Sequence, residues 1–358
     1  MVFYFKMSFL ARSSLVWLVL AVFPMNTALA LTVDDLYVAE VLVTDESDGQ
    51  RRSGARAGLL QVLVRVSGDP GVEDSTLIGS ALRNPEEYYY QFSYESTDKV
   101  LMLDGEEVAA QTLRLNFEPS AVSRLLRRGG FQVWGSNRPA VLVWLAVNDG
   151  QGRRLLGGAD EGPLNTLLDE QSRLRGVPVL FPLLDLEDSA ALSTAEVWGA
   201  FLGRIRDASQ RYNPDVILTA RIQQDPISGW SAKWAWYIEG EWQVEDTVSP
   251  SMELLVRDKV DLLASELADR YAIDSSRGQV ALRVEAVDSL QDYADVSRYV
   301  ESLAPVVDSS VIRVEGDEVE FRLNTEGQAD QLVRVIELDE KMVLINSDDA
   351  LHYRWLAP

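Results

Sequence analysis

The segment that most constrains the fold is residues 127–147, where one folding unit ends and another begins. A helical pattern with basic residues stops at a glycine pair, as helices commonly do. Next comes a short apolar stretch that contains Trp134. The dipeptide Arg138-Pro139 follows it. Residues 140–147 are then almost continuously apolar, which is typical of a strand buried on both faces of a partly parallel sheet. We predict a short, packed joint that holds two domains at a fixed angle.

The first thirty residues predict an export signal. Lys6 and Arg12 give a positive start, and Ala28 and Ala30 fit the small-x-small rule for cleavage. The apolar run at 15–23 is about half of the roughly twenty residues that a membrane-spanning helix needs. We expect a periplasmic protein, cleaved after Ala30, with no membrane span.

The net charge and the lack of cysteine restrict the kinds of partner and site that the chain can have. The net charge is −23, and loss of the signal makes it more negative. Such acidity disfavours nucleic acid and anionic lipid surfaces and favours neutral or basic partners. The chain has no cysteine, which excludes disulfides, thiolate metal sites, cysteine nucleophiles and a lipidated cysteine. We expect no cofactor, no nucleic-acid partner and no lipid anchor, and a partner that is an envelope protein or a cell-wall polymer.

Residues 31–137 predict an N-terminal α+β domain. The expected elements are a strand at 37–43, helices at 51–66 and 72–82, strands at 88–94 and 111–117, a helix from 119 and a strand at 131–134. Apart from the extra helix, this order is that of a ferredoxin-like unit.

Residues 138–274 predict a middle α/β domain with a mixed sheet. The expected elements are strands at 140–147, 177–184 and 216–222, helices at 164–173, 194–211 and 252–271, and a hairpin at 227–244. Residues 275–358 predict a second ferredoxin-like α+β unit, with strands at 280–287 and 351–356, helices at 290–303 and 329–338, and a hairpin at 310–323. The predicted fold class is therefore α/β, with a mixed-sheet middle domain between two small ferredoxin-like units.

Two phrases carry a family resemblance: Arg-Pro-x-Val-Leu-Val-Trp-Leu from Arg138, and Pro-Val-Leu-Phe-Pro-Leu-Leu-Asp ending at Asp185. With them, nearly the whole chain after the signal resembles a family of exported bacterial envelope proteins known only as a domain of unknown function, family two-zero-six-six of that series. The resemblance implies an envelope location and carries no activity over. In topology alone, the middle domain is similar to small α/β domains of periplasmic assembly proteins, which says little about function.

Asp185, Glu187 and Asp188 follow a predicted buried strand, at the sheet edge where α/β folds place their sites. Such a cluster could hold a divalent cation or act as an acid and base pair. The alternative is a solvated loop that caps the next helix. His352 is the single histidine, and neither a Gly-x-Ser-x-Gly elbow nor a phosphate-binding glycine loop accompanies it. We therefore interpret it as an edge-strand or surface residue.

Trp230, Trp234 and Trp236 share parity within the predicted hairpin, which also contains Trp242, so the first three point to one face. An aromatic face can stack on sugar rings, which predicts glycan binding. The alternative is packing in the core against a helix.

A basic island surrounds the joint in this acidic chain. Its members are Arg124, Arg127, Arg128 and Arg138, followed by Arg153 and Arg154. It could receive a phosphate-bearing polymer or the acidic face of a partner, and the alternative is internal salt bridging. From these patterns we favour a non-enzymatic interaction or assembly module of the envelope. The other two hypotheses are a glycan-binding module and a metal-dependent hydrolase.

Overall fold

The computed structural model describes residues 33, 35–103, 105–150, 152–160, 162–225, 229–272, 277–327, 329–346 and 350–356. The predicted export signal and its cleavage after Ala30 lie outside these residues, as do the boundary predicted at 274 and the hairpin start predicted at 227. The described elements form three sheets, each with its own apolar core, which confirms a fold of mixed α and β structure. No helix in these ranges combines the length and the apolar character needed to cross a bilayer.

The N-terminal unit is a three-stranded antiparallel sheet with β3 in the centre. Its elements are β1 (Val38–Val43), α1 (Asp48–Ser67), α2 (Thr76–Ala81), β2 (Tyr89–Leu103), β3 (Glu106–Phe117) and α3 (Pro119–Arg128). The apolar stripe predicted on α1 is buried, as Leu59, Val62 and Val66 show. Removing this stripe from water is the main stabilising contribution of α1.

Two predictions for this unit need correction. The strand predicted at 131–134 does not form, because only Val133 makes an isolated bridge, and the Trp134 N–H instead donates to the Val66 carbonyl at 2.7 Å. β2 and β3 are also longer than predicted, and they pair as far as Leu103 with Glu106. They therefore extend beyond β1 as a two-stranded arm.

The middle unit has a six-stranded mixed sheet, with order β5-β4-β7-β8-β9 and β6 paired to β4. The elements are β4 (Val141–Asn148), β5 (Arg153–Leu156), α4 (Pro163–Arg175), β6 (Val179–Leu180), α5 (Leu186–Ala191), α6 (Thr194–Trp198), α7 (Leu202–Ser209), β7 (Val216–Asp225), β8 (Gly229–Ile238), β9 (Glu241–Ser249) and α8 (Met252–Tyr271). The central β4 and β7 are parallel. β4 is buried on both faces, as the sequence predicts, whereas β7 is buried as far as Ala220 and partly exposed beyond it.

The helix predicted at 194–211 is broken into α6 and α7. Ala200 adopts a left-handed backbone with φ of 53°, and the Phe201 N–H bonds back to the Glu196 carbonyl at 3.0 Å, which ends α6. The strand predicted at 177–184 shortens to β6. Pro178 and Pro182 flank it and have no N–H to donate to a neighbouring strand.

The C-terminal unit has a five-stranded sheet with order β11-β12-β10-β14-β13. Its elements are β10 (Arg277–Glu285), α9 (Leu290–Ser302), β11 (Val306–Glu315), β12 (Glu318–Glu326), α10 (Ala329–Asp339), β13 (Met342–Asn346) and β14 (Leu351–Trp355). Without β13 this is the predicted βαββαβ order, with β10 parallel to β14. β13 is an additional edge strand that the sequence reading omitted.

Candidate functional site

The predicted carboxylate cluster forms an ion-pair network with Arg211. One guanidinium nitrogen lies 2.8 Å from Asp185 Oδ1 and 2.9 Å from Asp188 Oδ1, and the other lies 3.6 Å from Glu187 Oε2. The hydrogen bond from Arg211 is the main reason that the pKa of Asp185 falls to about 2. Arg211 therefore supplies the positive charge that a bound cation would otherwise bring to these three carboxylates.

Asp188 uses its second oxygen internally as well. The Tyr212 hydroxyl donates to Oδ2 at 2.6 Å, and the Leu184 N–H donates to the same atom at 2.8 Å. Asp185 caps α5 by accepting from the Asp188 N–H at 3.0 Å. Within the described residues, no group of three or more His, Asp or Glu side chains is arranged to hold a metal ion. The geometry favours the helix-capping interpretation of this cluster.

The tryptophans of the β8–β9 hairpin lie mainly in the core. Trp234 is fully buried and Trp236 is 5% exposed, whereas Trp230 packs at the margin of the same cluster. The Trp234 indole donates to Thr247 Oγ1 at 2.9 Å, and that of Trp236 donates to Glu266 Oε2 at 2.8 Å. Trp242 packs on the opposite sheet face. The buried rings of Trp234 and Trp236 present no open face for a sugar, so the geometry favours core packing for these two residues.

The arginines of the basic island do not form one site. Arg124 and Arg128 are exposed on α3, and Arg127 pairs with Glu326 of the C-terminal unit at 2.6 Å. On β5, Arg153 stacks over the Trp198 ring at 4.3 Å, and Arg154 pairs with Asp149 at 2.8 Å. Most of these cations therefore already have partners inside the chain.

Arg138 is buried at the centre of the joint, where all five of its N–H groups are used. They donate to the carbonyls of Gly135, Trp134, Arg65, Arg175 and Gly176 at 2.9 to 3.1 Å. Its guanidinium carbon also lies 3.9 Å from the centre of the Trp134 ring. No donor remains for an external anion, so the contacts of Arg138 hold the joint and do not form an anion site.

The same contacts explain why a charge can be buried there. Arg65 lies in the last turn of α1, and Arg175 ends α4, so Arg138 meets the negative ends of two helices. Arg65 itself donates to the carbonyls of Val38 and Leu174, and Arg175 donates to the Gly68 carbonyl at 2.7 Å. Burial lowers the pKa of Arg138 well below its usual value. The predicted packed joint is thus an arginine–carbonyl cluster between the first two units.

His352 lies on β14 with its Nε2 3.4 Å from Glu285 Oε2 on the neighbouring β10. This is a cross-strand contact on a charged sheet face, where Arg354 contacts the same glutamate at 2.6 Å. The edge-strand interpretation is wrong, because β14 lies between β10 and β13, and His352 is a partly exposed residue on an interior strand.

One open sheet edge among the described residues is the outer edge of β2. β2 pairs with β3 on one side only, and at about 3.3 Å per residue its fifteen residues span about 50 Å. Five apolar side chains on this strand are exposed: Tyr90 at 67%, Phe92 at 42%, Val100 at 48%, Met102 at 62% and Leu103 at 47%. A long edge strand with apolar side chains is a template for pairing with another chain. We call it the β2 edge.

The β2 edge is acidic as well as apolar. Four exposed carboxylates make no ion pair within the described residues. They are Glu95 and Asp98 on β2 and, on the adjacent β3, Glu106 and Glu107. Lys99 is instead paired with Glu170 of α4 at 3.3 Å, which ties the arm to the middle unit. The charge of this surface therefore suits a basic segment.

The arm was not predicted from the sequence, although a local signal for it is present. Asp104 and Gly105 form the dipeptide that most strongly marks a tight hairpin. Gly105 has the φ of +87° that such a turn needs. As a hairpin turn, this dipeptide predicts that the strands expected at 88–94 and 111–117 belong to one long hairpin.

A family model described as Domain of unknown function (DUF8605) matches residues 30–135. The matched segment contains β1, β2, β3 and α3, and therefore the β2 edge. The match agrees with the expected status of a domain of unknown function, under a different number from the predicted family. No curated protein matches the chain.

Proposed function

We propose that this chain is a non-enzymatic interaction module of the bacterial cell envelope, which binds an extended segment of a partner protein along the β2 edge. The observation that supports it is the fifteen-residue edge strand with five exposed apolar side chains. Addition of a strand to such an edge gives affinity through main-chain hydrogen bonds and specificity through alternate side chains. The export signal expected from the sequence is the support for an envelope location.

The chemistry of the β2 edge defines the partner. Unpaired carboxylates at Glu95, Asp98, Glu106 and Glu107 favour lysine or arginine. The apolar positions between them, such as Met102, favour an apolar side chain at every second residue of the bound segment. The partner segment is thus an extended strand that alternates apolar and basic residues.

A rigid frame supports this role. The arginine–carbonyl cluster around Arg138 fixes the N-terminal unit on the middle unit, and Lys99 pairs with Glu170 next to the arm. A preorganised edge loses little conformational entropy when a partner strand adds to it.

Site-specific photo-cross-linking tests the proposal. The photoreactive residue is placed at Phe92 or Met102 of the full chain, and at Leu186 as the control, because Leu186 is 91% exposed on α5. In envelope extract of the source cells, we expect one protein to be captured at both β2 positions and not at Leu186. Met102→Lys should weaken that capture, whereas Leu186→Lys should not.

Two outcomes would count against the proposal. One is capture of the same proteins from all three positions, which would indicate non-specific contact. The other is a captured partner whose cross-link maps to no extended segment with alternating apolar and basic residues.

A further inference from the structure

One face of the middle sheet is covered only in part by its helices. α6 and α7 pack on β4 and β7, whereas Val244 and Val248 on the same face of β9 are 53% and 70% exposed. Between the α6–α7 turn and this open face lies a cavity of about 320 Å³. Ligand sites commonly range from about 300 to 1,000 Å³, so the cavity suits a small molecule.

Two cations face each other in the wall of this cavity. Arg221 on β7 lies directly opposite Lys233 on β8 in the strand register. Like charges in opposite positions of a sheet repel and destabilise it. Lys233 forms a long ion pair with Asp246, its register partner on β9, at 3.9 Å between Nζ and Oδ2. Arg221 has no ion pair with any residue in the described ranges, so one carboxylate faces two cations. The chain has 56 acidic and 33 basic side chains, so two cations opposite each other are unexpected. Such locally unfavourable placements often occur at functional sites.

A third polar group lines the same cavity. Thr219 precedes Arg221 by two residues and shares its sheet face; it is 3% exposed, and its hydroxyl has no hydrogen-bond partner among the described atoms. Buried hydroxyls normally have a partner. The remaining wall is apolar and includes Val197, Leu202 and Val244. We call this cavity, with Thr219, Arg221 and Lys233, the basic pocket.

We propose that the basic pocket binds a small organic anion, whose oxyanion head lies between Arg221 and Lys233 and whose apolar body contacts Val197, Leu202 and Val244. Arginine pairs in a bidentate manner with carboxylate and phosphate alike, so the head belongs to one of these two groups. The Thr219 hydroxyl is a third donor for the ligand. This site is separate from the β2 edge and does not depend on the function proposed for it.

Calorimetric titration of the full chain tests the proposal with four probes: hexanoate, hexyl phosphate, hexanol and inorganic phosphate. We expect one or both organic anions to bind saturably, and their relative affinity identifies the head group. Hexanol lacks the charge and inorganic phosphate lacks the apolar body, so each should bind at least about tenfold more weakly than the better anion. Affinity should also fall as the salt concentration rises, because the cations are partly exposed.

Variants locate the site. Arg221→Gln and Lys233→Gln should each lower affinity for the better anion about tenfold or more, and Thr219→Val, which keeps the side-chain volume, should lower it several-fold. Arg322→Gln is the matched control, because Arg322 is also exposed on a strand and lies in the C-terminal unit. Circular dichroism checks that each variant is folded. The proposal is overturned if no probe binds saturably, if hexanol binds as tightly as the better organic anion, or if both glutamine variants bind like the parent chain.

Discussion

Replacing Arg138 by methionine tests the arginine–carbonyl cluster at the joint. The substitution keeps an unbranched side chain of similar length but removes five hydrogen-bond donors. The carbonyls of Arg65, Arg175 and Gly176 at two helix ends then lose their donor in an interior that water does not reach.

The expected loss can be bounded from these contacts. Five hydrogen bonds at about 1 kcal/mol each give about 5 kcal/mol, and the contact with the Trp134 ring adds about 1 kcal/mol. Methionine avoids the desolvation of a buried charge, which offsets a few kcal/mol. We therefore expect unfolding to become easier by about 3–5 kcal/mol, or a fall in Tm of about 10 °C. The free energy of unfolding of Arg138→Lys should lie between those of the parent chain and Arg138→Met, because lysine keeps the charge but offers only three donors.

Urea denaturation followed by tryptophan fluorescence measures this loss, since Trp134 lies in the cluster. Arg124→Met is the control, because Arg124 is exposed on α3 and should change the free energy of unfolding by less than about 0.5 kcal/mol. If Arg138→Met were as stable as Arg124→Met, the cluster would not hold the joint and the reasoning would be refuted.

Two further stability predictions follow. Gly68 has φ of +74°, and an added Cβ would lie 2.0 Å from the Cβ of Ala268, so Gly68→Ala should lower the free energy of unfolding by about 2 kcal/mol or more in thermal or urea unfolding. Gly203→Ala is the control, because nothing lies within 4 Å of an added Cβ there, and it should be neutral or stabilising. Equal changes in stability for the two variants would contradict the close packing at Gly68. Desolvation raises the pKa of Asp215 to about 6, so the folded state holds this proton more tightly than the unfolded chain and stability from this group falls as pH rises from about 4 to 6. Asp215→Asn still accepts from the Ala140 N–H. The residue as a whole is exposed although its carboxyl is partly desolvated, so screening limits the gain at pH 7 to roughly 1 kcal/mol. Urea titrations at pH 4 and pH 7 should show that gain at the higher pH alone, and a gain of the same size at both would exclude this carboxyl as its source.

The sequence predicted those parts of the fold that depend on periodic burial. The stripe on α1, the apolar run of β4 and the hairpin of β8 and β9 each bury one set of residues at helix or strand spacing, and this spacing is visible in the chain. The broken helix at Ala200 was not visible, because a left-handed residue there would ordinarily be glycine.

The candidate sites were harder to predict because they depend on contacts between distant residues. Arg138 looked like part of a surface island, yet helix ends from residues 65 and 175 surround it. Asp185 was a candidate for a cation site or for a helix cap, and the sequence did not show that Arg211 pairs with it. Arg221 and Lys233 become neighbours only through strand register. None of these pairings has a local sequence signal.

Hydrogen–deuterium exchange tests the proposed docking on the β2 edge most directly. It is measured on the full chain alone and with the partner captured by cross-linking. The proposal predicts that outward-facing amides of residues 90–103 become protected on binding, while amides of β1 in the same unit exchange as before. Protection confined to another surface, with residues 90–103 exchanging at the free rate, would contradict it.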